Sequence, residues 1–398
     1  MKKTPTRESY DVVIIGGAMM GSSAAWFLSN HPGFDGSILV VERDPTYEWC
    51  STAHTSSCIR QQFSTRINIE ISQYGASFIR NFRDEIGDAE APDITLQSFG
   101  YMYLTDNEVF AEALREVQAL QASLGAGTKI LTPDEILAAY PFYNLDGIVL
   151  GSHNTKDEGY FDGHTIFQWW RKKARENGVE YIENEVVDIA VRDDRVASIT
   201  LKTGETIPVG TLVNASGTRG ARTAQMAGLD IPVEPRRRYT FIIDCATELP
   251  SDLPLTIDPS GVYVRTDGRY YMTGASPDPD PAVDFDDFTP NHAIFEEKIW
   301  PAIANRVPAF EAVKVVNSWV GHYAYNTLDQ NAIVGTHTRV GNFIFMNGFS
   351  GHGFQQSPAM GRGVAELIAT GDYETLDLSD LSYERIEKGE PFLEKAII

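Results

Sequence analysis

Gly16, Ala18 and Gly21 have the spacing of the three small residues in a GxGxxG turn, and Glu42 follows at the end of the next apolar run. The chemistry served by that pattern is dinucleotide binding. The first position makes a tight turn, the second lets the backbone approach a pyrophosphate, and the third lets a helix pack closely on the preceding strand. The helix N-terminus beyond the turn, which contains Met20, offers free N–H groups and a positive dipole end to the phosphates. A carboxylate at Glu42, with Arg43 beside it, can accept both ribose hydroxyls and disfavours a 2′-phosphate. Ala18 replaces the usual second glycine and makes the approach tighter. An ordinary strand–turn–helix also needs small residues, so the argument rests on strand, turn, helix, second strand and terminal acid occurring together. The turn by itself does not separate FAD from NAD.

The elements that must position these residues are legible around them. Asp11 to Ile15 reads as a buried strand, Gly16 to Gly21 as the turn, Ser22 to Ser29 as a helix and Ile38 to Val41 as a second buried strand. Such a βαβ unit implies a parallel sheet covered by helices. Ile67 to Arg83 and Val109 to Leu124 have helical periodicity, with a strand at Tyr101 to Leu104 between them. Gly178 to Leu212 reads as a meander of short strands ending at Thr211 to Asn214, and Phe241 to Ala275 alternates again. Pro277 to Pro290 is a surface loop rich in Pro and Asp, followed by a helix at Ile294 to Ile303. Trp319 to Tyr325 is strand or loop. Phe343 to Met346 is a last buried strand before a glycine-rich turn and a helix at Pro358 to Ala369. The order predicts an α/β protein with a discontinuous cofactor domain (residues 10–85, 151–235 and 326–398). A β-rich substrate lobe takes up residues 86–150 and 236–325.

Composition narrows the partners. The 398 residues carry 33 Lys and Arg against 55 Asp and Glu, a formal charge of −22, which repels nucleic acid and anionic lipid surfaces. A few local arginines can still invert the potential inside a pocket. Three cysteines, Cys50, Cys58 and Cys245, make neither a disulfide framework nor a zinc site, which points to a reducing cytoplasm and no metal. Met1-Lys2-Lys3 and the apolar run Val12 to Met20 do not make a signal peptide, because polar residues and Gly16-Gly17 interrupt them. No apolar stretch reaches the roughly 18 residues of a membrane span.

Three further segments add to the turn. Thr211-Leu212-Val213-Asn214-Ala215-Ser216-Gly217 resembles the strand end of two-dinucleotide-type flavoproteins, where small residues pass close to FAD. The stretch from Ser51 and Thr52 through His54 and Ser57 to Arg60 and Ser64 resembles a loop bordering the flavin ring. Gly348-Phe349-Ser350-Gly351-His352-Gly353-Phe354-Gln355 resembles the turn over the flavin pyrimidine. Together they resemble the FAD-dependent D-amino-acid oxidase superfamily, in the branch of sarcosine oxidase, glycine oxidase, dimethylglycine dehydrogenase and iminodiacetate oxidase. The resemblance runs from about Tyr10 to Thr370.

The resemblance implies a Rossmann-like FAD domain capped by an antiparallel β-sheet lobe. It implies oxidation of a C–N bond beside a carboxylate, by hydride transfer to the flavin, to an imine that hydrolyses. The substrate expected is a small secondary-amine acid such as sarcosine, dimethylglycine or iminodiacetate. A primary amino-acid or hydroxy-acid oxidase, and a flavin-bearing assembly protein of the respiratory chain, are the alternatives. By position Arg60 is the carboxylate partner, its plain alternative being a surface salt bridge. Gln355 stands where the family has a lysine that also holds the carboxylate, and Tyr263 and Arg265 are candidates to supply what is missing. His322 and Tyr323 fall near the substrate as orienting groups or as a packed core pair. His54 is the position of a covalent flavin link in some members, His352 a structural residue of the turn, and Val187 a cofactor contact. Met272 replaces the family's oxygen-activating lysine, which leaves the acceptor as dioxygen or a separate redox partner.

Overall fold

In a computed structural model describing residues 1–395, two eight-stranded sheets carry the fold. In the first, Tyr10–Ile15 lies between Ile38–Glu42 and Thr206–Asn214, and the parallel set is completed by Glu180–Glu183 and Phe343–Asn347. Ile333–Thr336 adds an antiparallel edge, and the hairpin Val186–Arg192 with Arg195–Leu201 branches from Thr206–Asn214. The expected meander over Gly178 to Leu212 is therefore split, because its first strand joins the parallel sheet beside Ile38–Glu42. Both faces of this sheet are buried. Val12, Ile14 and Val40 point into one core with the helices, while Val13, Ile15, Leu39 and Val41 point into a second core with the hairpin. That two-sided burial is why these strands read as unbroken apolar runs.

The second sheet runs Val313–Asn326, Val233–Cys245, Tyr270–Ala275, Tyr263–Asp267, Leu255–Ile257, Tyr101–Thr105, Leu150–Asn154 and Lys129–Leu131. It is antiparallel except for the pair Leu255–Ile257 and Tyr101–Thr105. Leu150–Asn154 and the start of Val233–Cys245 belong to this sheet, so the segment boundaries placed at 150/151 and 235/236 cut through strands. Tyr239, Phe241, Ile243, Val264 and Tyr271 point to its outer core. By the alternation of a pleated strand, Arg238, Thr240 and Tyr263 point the other way, towards the first sheet.

Three helices depart from the expected bounds. The stretch expected from Ile67 to Arg83 is broken at Asn81 into Arg66–Arg80 and Phe82–Ile86. The N-terminal helix begins at Met19, inside the turn, and the long last helix spans Gly353–Thr370 rather than starting at Pro358. Pro358 is accommodated inside it because Ser357 Oγ donates to the Phe354 carbonyl at 2.8 Å, the acceptor that proline cannot serve. Ser23 Oγ donates to Ser357 O at 2.7 Å and ties the N-terminal helix to this long helix.

Candidate active site

A cleft between the two sheets gathers most of the residues singled out from sequence. Its floor is backbone. Gly16 has φ +96°, and a Cβ there would lie 2.5 Å from the Ala215 carbonyl oxygen, so only glycine lets the two strand ends meet. A Cβ at Gly21 would lie 1.8 Å from Gly16 O. Gly21 is thus the contact that seats the helix on the turn and is not itself part of the cleft wall. The helix starts at Ala18 as N-cap, with no side-chain cap and no acidic residue in its first turn. Ala18 has ordinary extended backbone, so its methyl is unstrained, and it lines the cleft with Met20.

Glu42 is buried at the cleft edge. Its Oε2 accepts from Gly17 N–H and its Oε1 from Asp44 N–H, each at 2.8 Å. Burial pushes its carboxyl pKa up, and those two N–H donors pull against that shift. Ala215, Ser216 and Gly217 form the opposite wall of this end, and Arg43 reaches it from beside Glu42.

On the far side Ser350, Gly351, Gly353 and Phe354 line the cleft at the start of the long helix, which also has no side-chain cap and no acid in its first turn. Gly351 has φ +98°, and a Cβ there would lie 2.4 Å from the Tyr323 ring. The turn therefore packs directly on the lobe. Gly348 stays behind the wall, against Val233 and Asn326. Two uncapped helix N-termini thus face one cleft with a buried ribose-type acceptor at its edge. That donor set suits the diphosphate and the electron-rich ring of FAD, which supplies hydride acceptance when bound.

Ser51, Thr52 and His54 line the cleft from the loop after the second strand. Ser51 Oγ donates to His322 O at 2.7 Å, and His54 Nδ1 lies 3.1 Å from Cys50 O. Ser57 does not reach the cleft; it adopts φ +52° and its carbonyl accepts from Phe161 N–H. Val187 is 45% exposed and points outward, whereas Val186, one residue earlier in the same strand, lines the cleft. The side-chain period of two explains that miss.

Arg60 is neither in the cleft nor at the surface. It is 2% exposed and donates to Gln62 O, faces His352 Nε2 at 3.1 Å and stacks 4.0 Å over the Phe63 ring. Beside this guanidinium, burial lowers the His352 pKa to about 3, so the ring is a neutral acceptor. Gln355 is occupied too: its Oε1 accepts from Arg60 N–H at 2.7 Å and pins that segment to the long helix.

Arg265 is 1% exposed and paired with Asp267 at 2.8 Å; it also donates to Thr266 O and to Ser56 O in the loop bordering the cleft. Met272 lies against Arg265, with its sulfur 3.4 Å from Nη2, and is likewise outside the cleft. His322 lines the cleft only as part of its strand. Its register partner is Arg237, which puts its ring on the outer face, stacked 4.2 Å from Phe288 with Nε2 2.9 Å from Asp287 O.

The lobe residues that do wall the cleft are Tyr263 and Tyr323, together with Thr240 and Arg238, which were not singled out from sequence. Tyr263 OH and Thr240 Oγ1 are 3.5 Å apart, and burial pushes the Tyr263 phenol up to about 12, so it stays protonated. The Arg238 guanidinium lies 4.6 Å from the Tyr323 ring centroid. The signal that marks Arg238 is strand alternation: residues 236, 238 and 240 share a face. Arg219 and Arg222 add cations at the cofactor end. Asp286 of the 277–290 loop bridges to Arg219 at 2.7 Å and to Arg43 at 3.5 Å.

Among the described residues no cluster of acids, histidines and cysteines forms a metal site, and no helix is long and apolar enough to cross a membrane.

Comparison with known proteins agrees with this geometry. Residues 11–367 match the family model described as FAD dependent oxidoreductase. The chain is 37% identical to FAD-dependent oxidoreductase domain-containing protein 1 of Xenopus laevis, over 98% of this chain and 85% of that protein. It is 25% identical to sarcosine oxidase subunit beta of an Arthrobacter species, over 96% and 92% of the two chains. Its fold superimposes on the crystal structure of L-proline dehydrogenase from P. horikoshii with a TM-score of 0.84 at 24% identity, covering 96% and 99%. The chain belongs to the family of FAD-dependent oxidoreductases, with FAD as its cofactor.

Proposed function

We propose that the chain oxidises the C–N bond of a small N-substituted glycine, such as sarcosine, dimethylglycine or iminodiacetate, to an imine that hydrolyses. The observation that carries this reading is the wall of the cleft opposite the cofactor cradle. Tyr263 and Thr240 offer hydroxyls there, Tyr323 an aromatic face, and Arg238 the only lysine or arginine that the lobe contributes among the described residues. The acids lining the cleft, Glu42 and Glu185, belong to the cofactor end. The lobe carboxylate at this wall, Asp280, is already paired with Arg238 and so is not offered to an ammonium; the amine enters neutral and needs no general base on the protein. The Tyr263 hydroxyl can accept or donate a hydrogen bond and so orient that nitrogen. Similarity to a sarcosine oxidase subunit supports trying these compounds first.

The test is anaerobic mixing of FAD-loaded protein with each compound while the visible flavin band is followed. Bleaching by one of them is expected; bleaching by none removes the substrate claim. Re-oxidation in air against re-oxidation by an added acceptor then decides between dioxygen and a redox partner. A second reading, a flavin-bearing assembly protein, draws support from the internal engagement of Arg60, Arg265 and Gln355. It predicts a stable complex with a partner and no bleaching by any amine.

A further inference from the structure

We propose that Arg238 holds the substrate carboxylate, in place of Arg60. This rests on the amine-acid reading above and assigns its charged subsite to a different strand. From the sequence, Arg60 and Arg265 were the candidates for this task. Arg60 and Arg265 have their guanidinium groups buried and bonded within the protein, outside the cleft. Arg238 sits on the inner face of the lobe sheet, lines the cleft and has a side chain 13% exposed.

The donor count of Arg238 points to a missing acceptor. Its Nη1 and Nη2 grip Asp280 end-on at 2.9 Å each, and Nη1 also donates to Arg237 O at 2.8 Å. Three of the five N–H donors of a guanidinium are then used. The remaining two, Nε–H and the second Nη2–H, lie side by side and form the other bidentate fork of the group. Nε is buried without any partner, as it also is in Arg236 and Arg265; of these three arginines Arg238 is the one that lines the cleft. An unfilled buried donor is costly, and an incoming carboxylate that takes the side-on fork satisfies it. Asp280, from the 277–290 loop, and the Tyr323 ring fix the guanidinium plane in advance, which lowers the ordering cost of binding. Tyr263 and Thr240, which flank Gly274 from either side of the strand Tyr270–Ala275 on the same face, are then placed for the amine end of the same molecule.

The experiment uses the FAD-loaded protein and butyrate, the isostere of sarcosine in which the amine is a methylene, so that no C–N bond can be oxidised. Ethylmethylamine, which lacks the carboxylate, is the control. Binding is read as perturbation of the flavin visible spectrum. Arg238→Met is expected to weaken butyrate about tenfold or more, because a charge-assisted bidentate pair is lost. Arg238→Lys, which keeps the charge but not the planar fork, should recover part of that loss, and neither variant should alter ethylmethylamine binding by more than about twofold. Arg60→Met should change butyrate affinity less than about threefold. Butyrate binding that is absent in the unmutated protein, that survives Arg238→Met unchanged, or that is lost in Arg60→Met instead overturns the assignment. FAD content and circular dichroism of each variant separate a binding effect from a folding one. Because butyrate undergoes no reaction, Arg238-dependent binding stands even if no amine reduces the flavin. The two claims therefore fail separately.

Discussion

The cofactor cradle and the inner face of the lobe sheet are two halves of one cleft, built on opposite plans. The cradle is made of backbone: Gly16 and Gly21 approach their neighbours so closely that a Cβ at either would clash, and the starts of two helices face the cleft beside Ala215. The lobe wall is made of side chains: Arg238, Thr240, Tyr263 and Tyr323 come from three strands and meet only through sheet register. A backbone site tolerates few substitutions, but it can be read from short stretches of chain. A side-chain site depends on which neighbours share a face, and that depends on pairings between distant strands.

The contrast is broken most severely at Gly21. Gly21→Ala demands a shift of the helix away from Gly16, because the added Cβ falls 1.8 Å from a backbone oxygen. The expected result is a loss of FAD affinity of about 100-fold or more, read from the flavin-to-protein absorbance ratio. Full FAD content in that variant would refute the close-packing account of the cradle. Arg265→Met tests the opposite kind of residue, a buried cation whose work is structural. Losing its bonds to Asp267, Thr266 O and Ser56 O should lower stability by about 2 kcal/mol, measured by chemical denaturation. Butyrate affinity should be nearly unchanged.

A smaller effect sharpens the account of the Arg60 pocket. His352 is held neutral in the fold, with a pKa near 3 against an ordinary 6.5, so the unfolded chain binds the extra proton between those values. Its contribution to stability is present above about pH 6.5 and is lost as the pH falls towards 3. Thermal midpoints should decline over that window. His352→Gln, which keeps an acceptor for Arg60 without a titrating ring, should flatten the decline; an unaltered slope would place the acid sensitivity elsewhere. Smallest is Ser357→Ala, which leaves the Phe354 carbonyl unserved beside Pro358 and should cost about 1 kcal/mol. Equal denaturation midpoints for variant and parent would show that another group serves that carbonyl.

Much of the first half was visible in advance for a physical reason. A turn that must clear a diphosphate excludes side chains, and excluded side chains leave glycines at fixed spacing, as at Gly16 and Gly21. Individual side chains and element bounds were read less well. Val187 was chosen where Val186 faces in, because two adjacent valines give no local sign of which one points inward. Arg60 and Gln355 were placed by resemblance, yet each spends its polar atoms inside the fold. Pro358 suggested a helix start that lies at Gly353, since nothing local announces that Ser357 compensates for the missing N–H.

From its residues alone the chain was marked as a dinucleotide-binding α/β protein with a β-rich lobe, because both features arise from short-range steric and hydrophobic patterns. Which of the lobe and loop arginines reaches the cleft was decided only by the tertiary structure. Arg60, Arg238 and Arg265 are the same residue to any local rule. Only the packing determines whether a guanidinium meets carbonyls and a histidine, an aspartate in a closed interior, or a cleft with two donors still unused.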